Sequence, residues 1–181
     1  MKYSLIRSFS SADGRGLRTS VYFSGCQKAL EGNACPGCHN ATAWDKEVGQ
    51  DWTKEVQDIV LKSLEPDYVA GLSVLGGEPF SDFNLEAVLE LVTAAKEAFP
   101  KKDVWVWTGY TVEELIANAN KKDLVFKIFE KIDYLIDGPF LQDLKNPNLK
   151  FRGSANQRIL KINHENTTQL YEDVTDLIES L

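Results

Sequence analysis

The feature that most constrains this chain is a repeated alternation. Short apolar runs with strand character give way to longer stretches with helical period, and distinctive residues stand where the runs end. Val21-Tyr22-Phe23 reads as a first strand that stops at Ser24-Gly25. A helix opens near Asp51 or Thr53, with Val56, Ile59, Val60 and Leu64 on one face. Val69 to Leu75 reads as a buried strand ending at Gly76-Gly77. Leu85, Val88, Leu89 and Val92 then recur at helical spacing until Pro100. Val104 to Trp107 is a third strand, and Thr111 with Glu114 has the spacing of a capping box. Leu124 to Ile132 reads as helix, and Tyr134 to Ile136 and Arg158 to Ile162 as strands. Leu170, Val174, Leu177, Ile178 and Leu181 form the stripe of a C-terminal helix at about 167–181.

Strands alternating with helices of this length imply βαβ units and a parallel sheet. Parallel strands carry their ligand sites where strand passes into loop at the C-terminal end. Gly25-Cys26, Gly76 to Pro79, Thr108-Gly109-Tyr110 and Asp137-Gly138 all occupy such places. A closed barrel of eight units takes about 250 residues, and this chain has 181. The expectation is a single α/β domain over 1–181, an open partial (βα) TIM-like barrel with mostly parallel strands.

Charge narrows the function classes. With 27 acidic and 20 basic residues the net charge is −7, which disfavours nonspecific nucleic-acid binding because counterion release needs a basic surface. No apolar run is long enough to cross a bilayer. The first residues, Met1 to Arg7, lack the apolar stretch of a secretory signal. A soluble cytoplasmic protein is expected.

The three cysteines form the pattern Cys26-x8-Cys35-x2-Cys38. An odd, clustered set makes a poor disulfide framework and points to metal or redox chemistry. Three thiolates on a four-iron cluster would leave one iron open to an external donor. A zinc site would need a fourth ligand, and His39 is awkwardly adjacent to Cys38. Cys35-Pro36-Gly37-Cys38 alone also fits a dithiol pair. After the second strand, Gly76-Gly77-Glu78-Pro79 lets backbone approach a ligand closely and adds a carboxylate, which suits a zwitterionic amino-acid head. A plain turn uses the same residues. Trp105 and Trp107 share one strand face and read as packing residues. Thr108 reads equally as a pocket residue or not, Asp137 as a ribose acceptor, a group orienting a cofactor or a turn former, and Arg18 as a surface charge, a group neutralising a cluster or one binding a partner.

Taken together, the cysteines after the first strand and Gly-Gly-Glu-Pro after the second resemble the radical S-adenosylmethionine enzymes. Asp13-Gly14-Arg15-Gly16-Leu17-Arg18-Thr19, running into Phe23-Ser24-Gly25-Cys26, is similar to the opening signature of the glycyl-radical-enzyme activases within that family. Trp105 to Tyr110, Asp137 to Phe140, Gln142 to Lys145 and Phe151 to Arg158 resemble the branch whose partner is anaerobic ribonucleotide reductase. The resemblance implies a [4Fe–4S] cluster on Cys26, Cys35 and Cys38 with one open iron. It also implies S-adenosyl-L-methionine held near Gly76, Gly77, Glu78, Pro79, Thr108 and Asp137, and a one-electron donor such as flavodoxin or ferredoxin. The implied reaction is reductive cleavage of S-adenosylmethionine and formation of a glycyl radical on the reductase's large subunit. Two alternatives stay open here: a radical enzyme acting on a small molecule, and a zinc-binding module without catalysis. The chain departs from the family's C-x3-C-x2-C spacing by five extra residues between Cys26 and Cys35. Gln27 to Ala34 reads as a loop insertion of small entropic cost.

Overall fold

The computed structural model describes residues 1–118, 122–165 and 169–181. Among them, β1 (Lys2–Ser10) and β2 (Leu17–Phe23) pair antiparallel, and β3 (Gln50–Asp51) adds to the outer edge of β1. β4 (Val69–Gly76), β5 (Asp103–Trp107) and β6 (Tyr134–Asp137) follow parallel to β2. β7 (Arg158–Ile162) and β8 (Tyr171–Asp173) complete the sheet antiparallel. The spatial order is β3-β1-β2-β4-β5-β6-β7-β8.

The chain is α/β and its sheet is open, since no pairing joins β3 to β8 among the described residues. The expected predominance of parallel pairing is corrected. Three of the seven strand pairings are parallel and four are antiparallel. A parallel return needs a crossover of a dozen or more residues, usually helical. The turn before β2 is too short for one, and the segment between β6 and β7 holds no α-helix, only a 3₁₀ turn at Gln142–Leu144 and an isolated bridge between Lys145 and Ser154. β1 was not expected from the sequence. Its residues are exposed or only half-buried, so no apolar run marks it.

Six helices accompany the sheet among the described residues: α1 (Gln27–Leu30), α2 (Lys54–Ser63), α3 (Leu85–Ala98), α4 (Val112–Ala117), α5 (Lys122–Phe129) and α6 (Thr175–Ser180). Thr53 caps α2 by accepting from the Val56 N–H, and Thr111 with Glu114 forms the expected capping box on α4. Ile59 departs from the expected apolar face of α2 and is exposed. The expected C-terminal helix is also corrected. Residues 171–173 are strand β8, and helix is confined to Thr175–Ser180. Residues 167 and 168 of that expectation lie outside the described residues. Pairing with β7 through Leu160, Lys161 and Ile162 takes these residues into the sheet.

Strand alternation sorts side chains onto two faces. Val21, Phe23, Leu72, Val74, Val104, Val106, Leu135, Leu160 and Ile162 enter the large core shared with α2, α3, α4 and α5. Trp105, Ile136 and Ile159 enter a smaller core with Val174 and Ile178, the latter on α6. Trp105 and Trp107 therefore share a face, as expected, and stack with centroids 5.9 Å apart.

Candidate cluster and cofactor site

The second face becomes a cleft toward the C-terminal ends of the parallel strands. Tyr22, Leu75 and Trp107 form part of its lining. They alternate with core residues Val21 and Phe23, Val74, and Val106, so the strand period itself turns them to this side. The cleft measures about 270 Å³. Cys26, Cys35 and Cys38, all free thiols, line it together with Gly76, Gly77, Glu78 and Thr108.

The backbone of the cysteine segment is locked to the Gly-Gly turn. The Gly77 N–H donates to Phe23 O at 2.8 Å, and the Glu78 N–H to Gly25 O at 2.8 Å. Gly25 and Cys26 donate to Ala43 O and Trp44 O at 2.7 and 2.9 Å. Gly76 has φ +128, and a Cβ there would stand 2.0 Å from Phe23 O. At Gly77 a Cβ would meet Gly25 O at 2.3 Å and Ala43 O at 2.6 Å. The two glycines therefore serve backbone packing beneath Cys26 as well as the wall of the cleft.

Glu78 is buried and its carboxylate is occupied by the protein. Oε1 accepts from the Phe80 N–H at 2.9 Å and from Thr108 Oγ1 at 2.8 Å, and Oε2 accepts from the Gly109 N–H at 2.7 Å. Burial pushes the carboxyl up to about 6, against the pull of these donors and of Lys28. Its first task is to join the end of β4 to the end of β5.

Two expected site residues stand apart from the cleft. Pro79 is absent from its lining. Asp137 is too, because strand alternation places it on the side of Leu135, toward the helices. Its Oδ2 accepts from the Val112 N–H at 2.9 Å and from Arg158 at 2.5 Å, while Oδ1 accepts from Arg158 Nε at 3.0 Å. The strand period, read two residues past Leu135, carries that signal in the sequence. Arg18 is neither surface charge nor neighbour of the cysteines. It is buried at the start of β2, where it reaches Ser73, Leu72 O and Asp103.

The cleft also contains residues that sequence reasoning missed or left open. His39 meets Phe140 edge to face at 5.1 Å. Gln157 accepts from the Gly153 N–H at 2.9 Å and donates to Gly138 O at 3.1 Å, fastening the far wall. Phe140, Gly153 and Gln157 lie within the segments that carry the resemblance, which could have singled them out. Lys28 lies in the extra residues after Cys26, where no motif signalled it.

The donor set suits an iron–sulfur cluster. Burial pushes the Cys26 thiol up to about 11, so a thiolate there needs a compensating positive charge such as bound iron. Among the described residues no group of three His, Cys, Asp or Glu is arranged to hold a single metal ion. A four-iron cluster carries its thiolates on separate irons and does not require them to meet at one point.

Comparison with family models supports the iron–sulfur character. The family of 4Fe-4S single cluster domains matches residues 12–160. The anaerobic ribonucleoside-triphosphate reductase-activating protein of Vibrio cholerae is 37% identical over 161 residues, covering 88% of this chain and 97% of that protein. That of Escherichia coli K12 is 37% identical over 159 residues, covering 87% of this chain and 96% of that protein. That of Enterobacteria phage T4 is 33% identical over 159 residues, with 88% and 93% covered. No solved structure matches the chain. No helix among the described residues is long and apolar enough to cross a membrane.

Proposed function

The chain belongs to the family of anaerobic ribonucleoside-triphosphate reductase-activating proteins, with a 4Fe-4S single cluster domain, and on that premise we propose that it is a radical S-adenosylmethionine activase of such a reductase. The observation that carries this reading is the convergence of Cys26, Cys35 and Cys38 with Gly76, Gly77, Glu78 and Thr108 on one cleft. When bound, a reduced [4Fe–4S] cluster and S-adenosylmethionine would supply a 5′-deoxyadenosyl radical able to take a hydrogen atom from a backbone glycine of the reductase.

This chain's own residues bind, orient and shield. The three thiolates would hold the cluster and leave one iron for the methionine head. The Gly76-Gly77 backbone and the Thr108–Gly109 segment form walls on either side of Glu78, whose carboxylate fixes their separation. The thiols are only partly buried, so a segment of a protein partner could reach the cleft from outside and exclude water as it closes. A flavodoxin or ferredoxin is the kind of one-electron donor this chemistry requires.

Anaerobic mixing of the reconstituted protein with the reductase, a reductant and S-adenosylmethionine tests the reading. A glycyl radical signal in electron paramagnetic resonance is expected. Full iron loading with no such signal, and no 5′-deoxyadenosine formed, would overturn it.

A further inference from the structure

Of the residues between Cys26 and Cys35, Gln27–Leu30 form α1, whose first two residues reach the exits of two strands. The Gln27 N–H donates to Ser81 Oγ at 3.0 Å, and Gln27 Oε1 accepts from the Asp82 N–H at 3.2 Å. Both contacts are to the segment that leaves Gly-Gly-Glu-Pro. The next residue reaches the other way. Lys28 Nζ donates to Gly109 O at 2.7 Å, sits 4.2 Å from the centre of the Tyr110 ring, and is 3.6 Å from Glu114.

Gly109 is thereby held at both peptide groups. Its N–H is bound by Glu78 at 2.7 Å and its carbonyl by Lys28. It has no side chain to anchor it, and it lines the cleft. A flexible lysine stem is costly to immobilise, yet here a carbonyl, a ring face and a carboxylate fix its head. A three-residue spacing between cysteines leaves no room for this turn and its return to Cys35.

We propose that α1 is a brace by which the cysteine segment positions the cofactor wall, with Lys28 as the positioning residue for the Gly109 strap. The proposal rests on the reading of the cleft as an S-adenosylmethionine site. Binding of the cluster would hold residues 26–35, and Lys28 passes that order on to Thr108–Tyr110. Lys28 acts through Gly109 and has no part in the chemistry itself.

The test compares wild type, Lys28→Met and Lys28→Arg after anaerobic reconstitution. Methionine keeps the apolar stem, so iron content should stay at the wild-type value, while loss of the hydrogen bond to Gly109 O should lower the thermal midpoint by a few degrees. The dissociation constant for S-adenosylmethionine should rise about tenfold in Lys28→Met, the scale of one lost charge-assisted hydrogen bond, and stay within about threefold in Lys28→Arg. Amide exchange at Gly109 and Tyr110 should quicken in Lys28→Met and recover in Lys28→Arg. Wild-type affinity and exchange in Lys28→Met would overturn the brace. So would loss of iron in that variant, which would place Lys28 with the cluster instead. Failure of the wild-type protein to bind S-adenosylmethionine would overturn the reading of the cleft, and this inference with it.

Discussion

Thr108 Oγ1 donates to Glu78 Oε1 at 2.8 Å inside the protein, tying together two strand ends that are 30 residues apart in sequence. The same carboxylate takes the Gly109 and Phe80 amides, so it is an acceptor for three donors. Glu78→Gln puts an amide N–H₂ against at least one of them. Loss of about 1–3 kcal/mol of stability is expected, read as a lower urea midpoint. An unchanged midpoint would show that the carboxylate is not needed as an acceptor.

The same residue carries a pH signature. Burial raises its carboxyl from 4.5 to about 6 in the folded chain. The folded state then holds the proton more tightly than the unfolded state, so stability from this group falls as pH rises between those values. The span corresponds to roughly 2 kcal/mol. The stability lead of wild type over Glu78→Gln should therefore shrink from pH 4.5 to 6 in urea titrations, and a lead that grows over that range contradicts the assignment.

No fourth cysteine exists in the chain to replace a lost ligand. Cys26→Ala, Cys35→Ala and Cys38→Ala are each expected to lose the cluster's visible absorption and all cleavage of S-adenosylmethionine. Near-normal cleavage by any one of them removes that cysteine from the ligand set.

Gly77→Val separates two roles of the Gly-Gly turn. From sequence, a side chain there should block the methionine head and spare the cluster. The structure sends that side chain into the carbonyls of Gly25 and Ala43 instead, directly beneath Cys26. Iron content and cofactor affinity should therefore fall together in Gly77→Val. Retained iron with weakened cofactor binding would favour the simpler reading.

Arg18 sits at the opposite end of β2 from the cysteines. Its guanidinium donates to Ser73 Oγ, Arg15 O, Leu72 O, Asp103 O and Asp103 Oδ1. Arg18→Met would leave the buried Ser73 Oγ and Leu72 O short of a donor, at about 1–3 kcal/mol, while the partly exposed Asp103 carboxylate turns to water. Denaturant unfolding should show this loss, while iron per folded molecule stays at the wild-type level. Stability equal to wild type would show the network to be dispensable.

The sequence by itself determined the period of the chain and the identity of its chemical groups. Val69 to Leu75, Val104 to Trp107 and Tyr134 to Ile136 are buried parallel strands because uninterrupted apolar runs have few other uses in a chain this size. Cys26 and Gly76 to Glu78 stood out as candidates because chemically distinctive residues stand at strand ends, and Cys35 and Cys38 because they cluster close behind Cys26. Tertiary structure decided everything that depends on which partner a polar group finds. Asp137 accepts from Arg158 and the Val112 amide, partners that no motif in the sequence announces. Arg18 looked like a free charge until the fold buried it beside Ser73 and Asp103. β1, β8 and α1 carry no strong apolar period and exist because neighbours supply their hydrogen bonds or contacts. Hydrophobic period is written locally, residue by residue, whereas a carboxylate, an ammonium or a half-exposed strand takes its role from whatever the folded chain brings within hydrogen-bond reach.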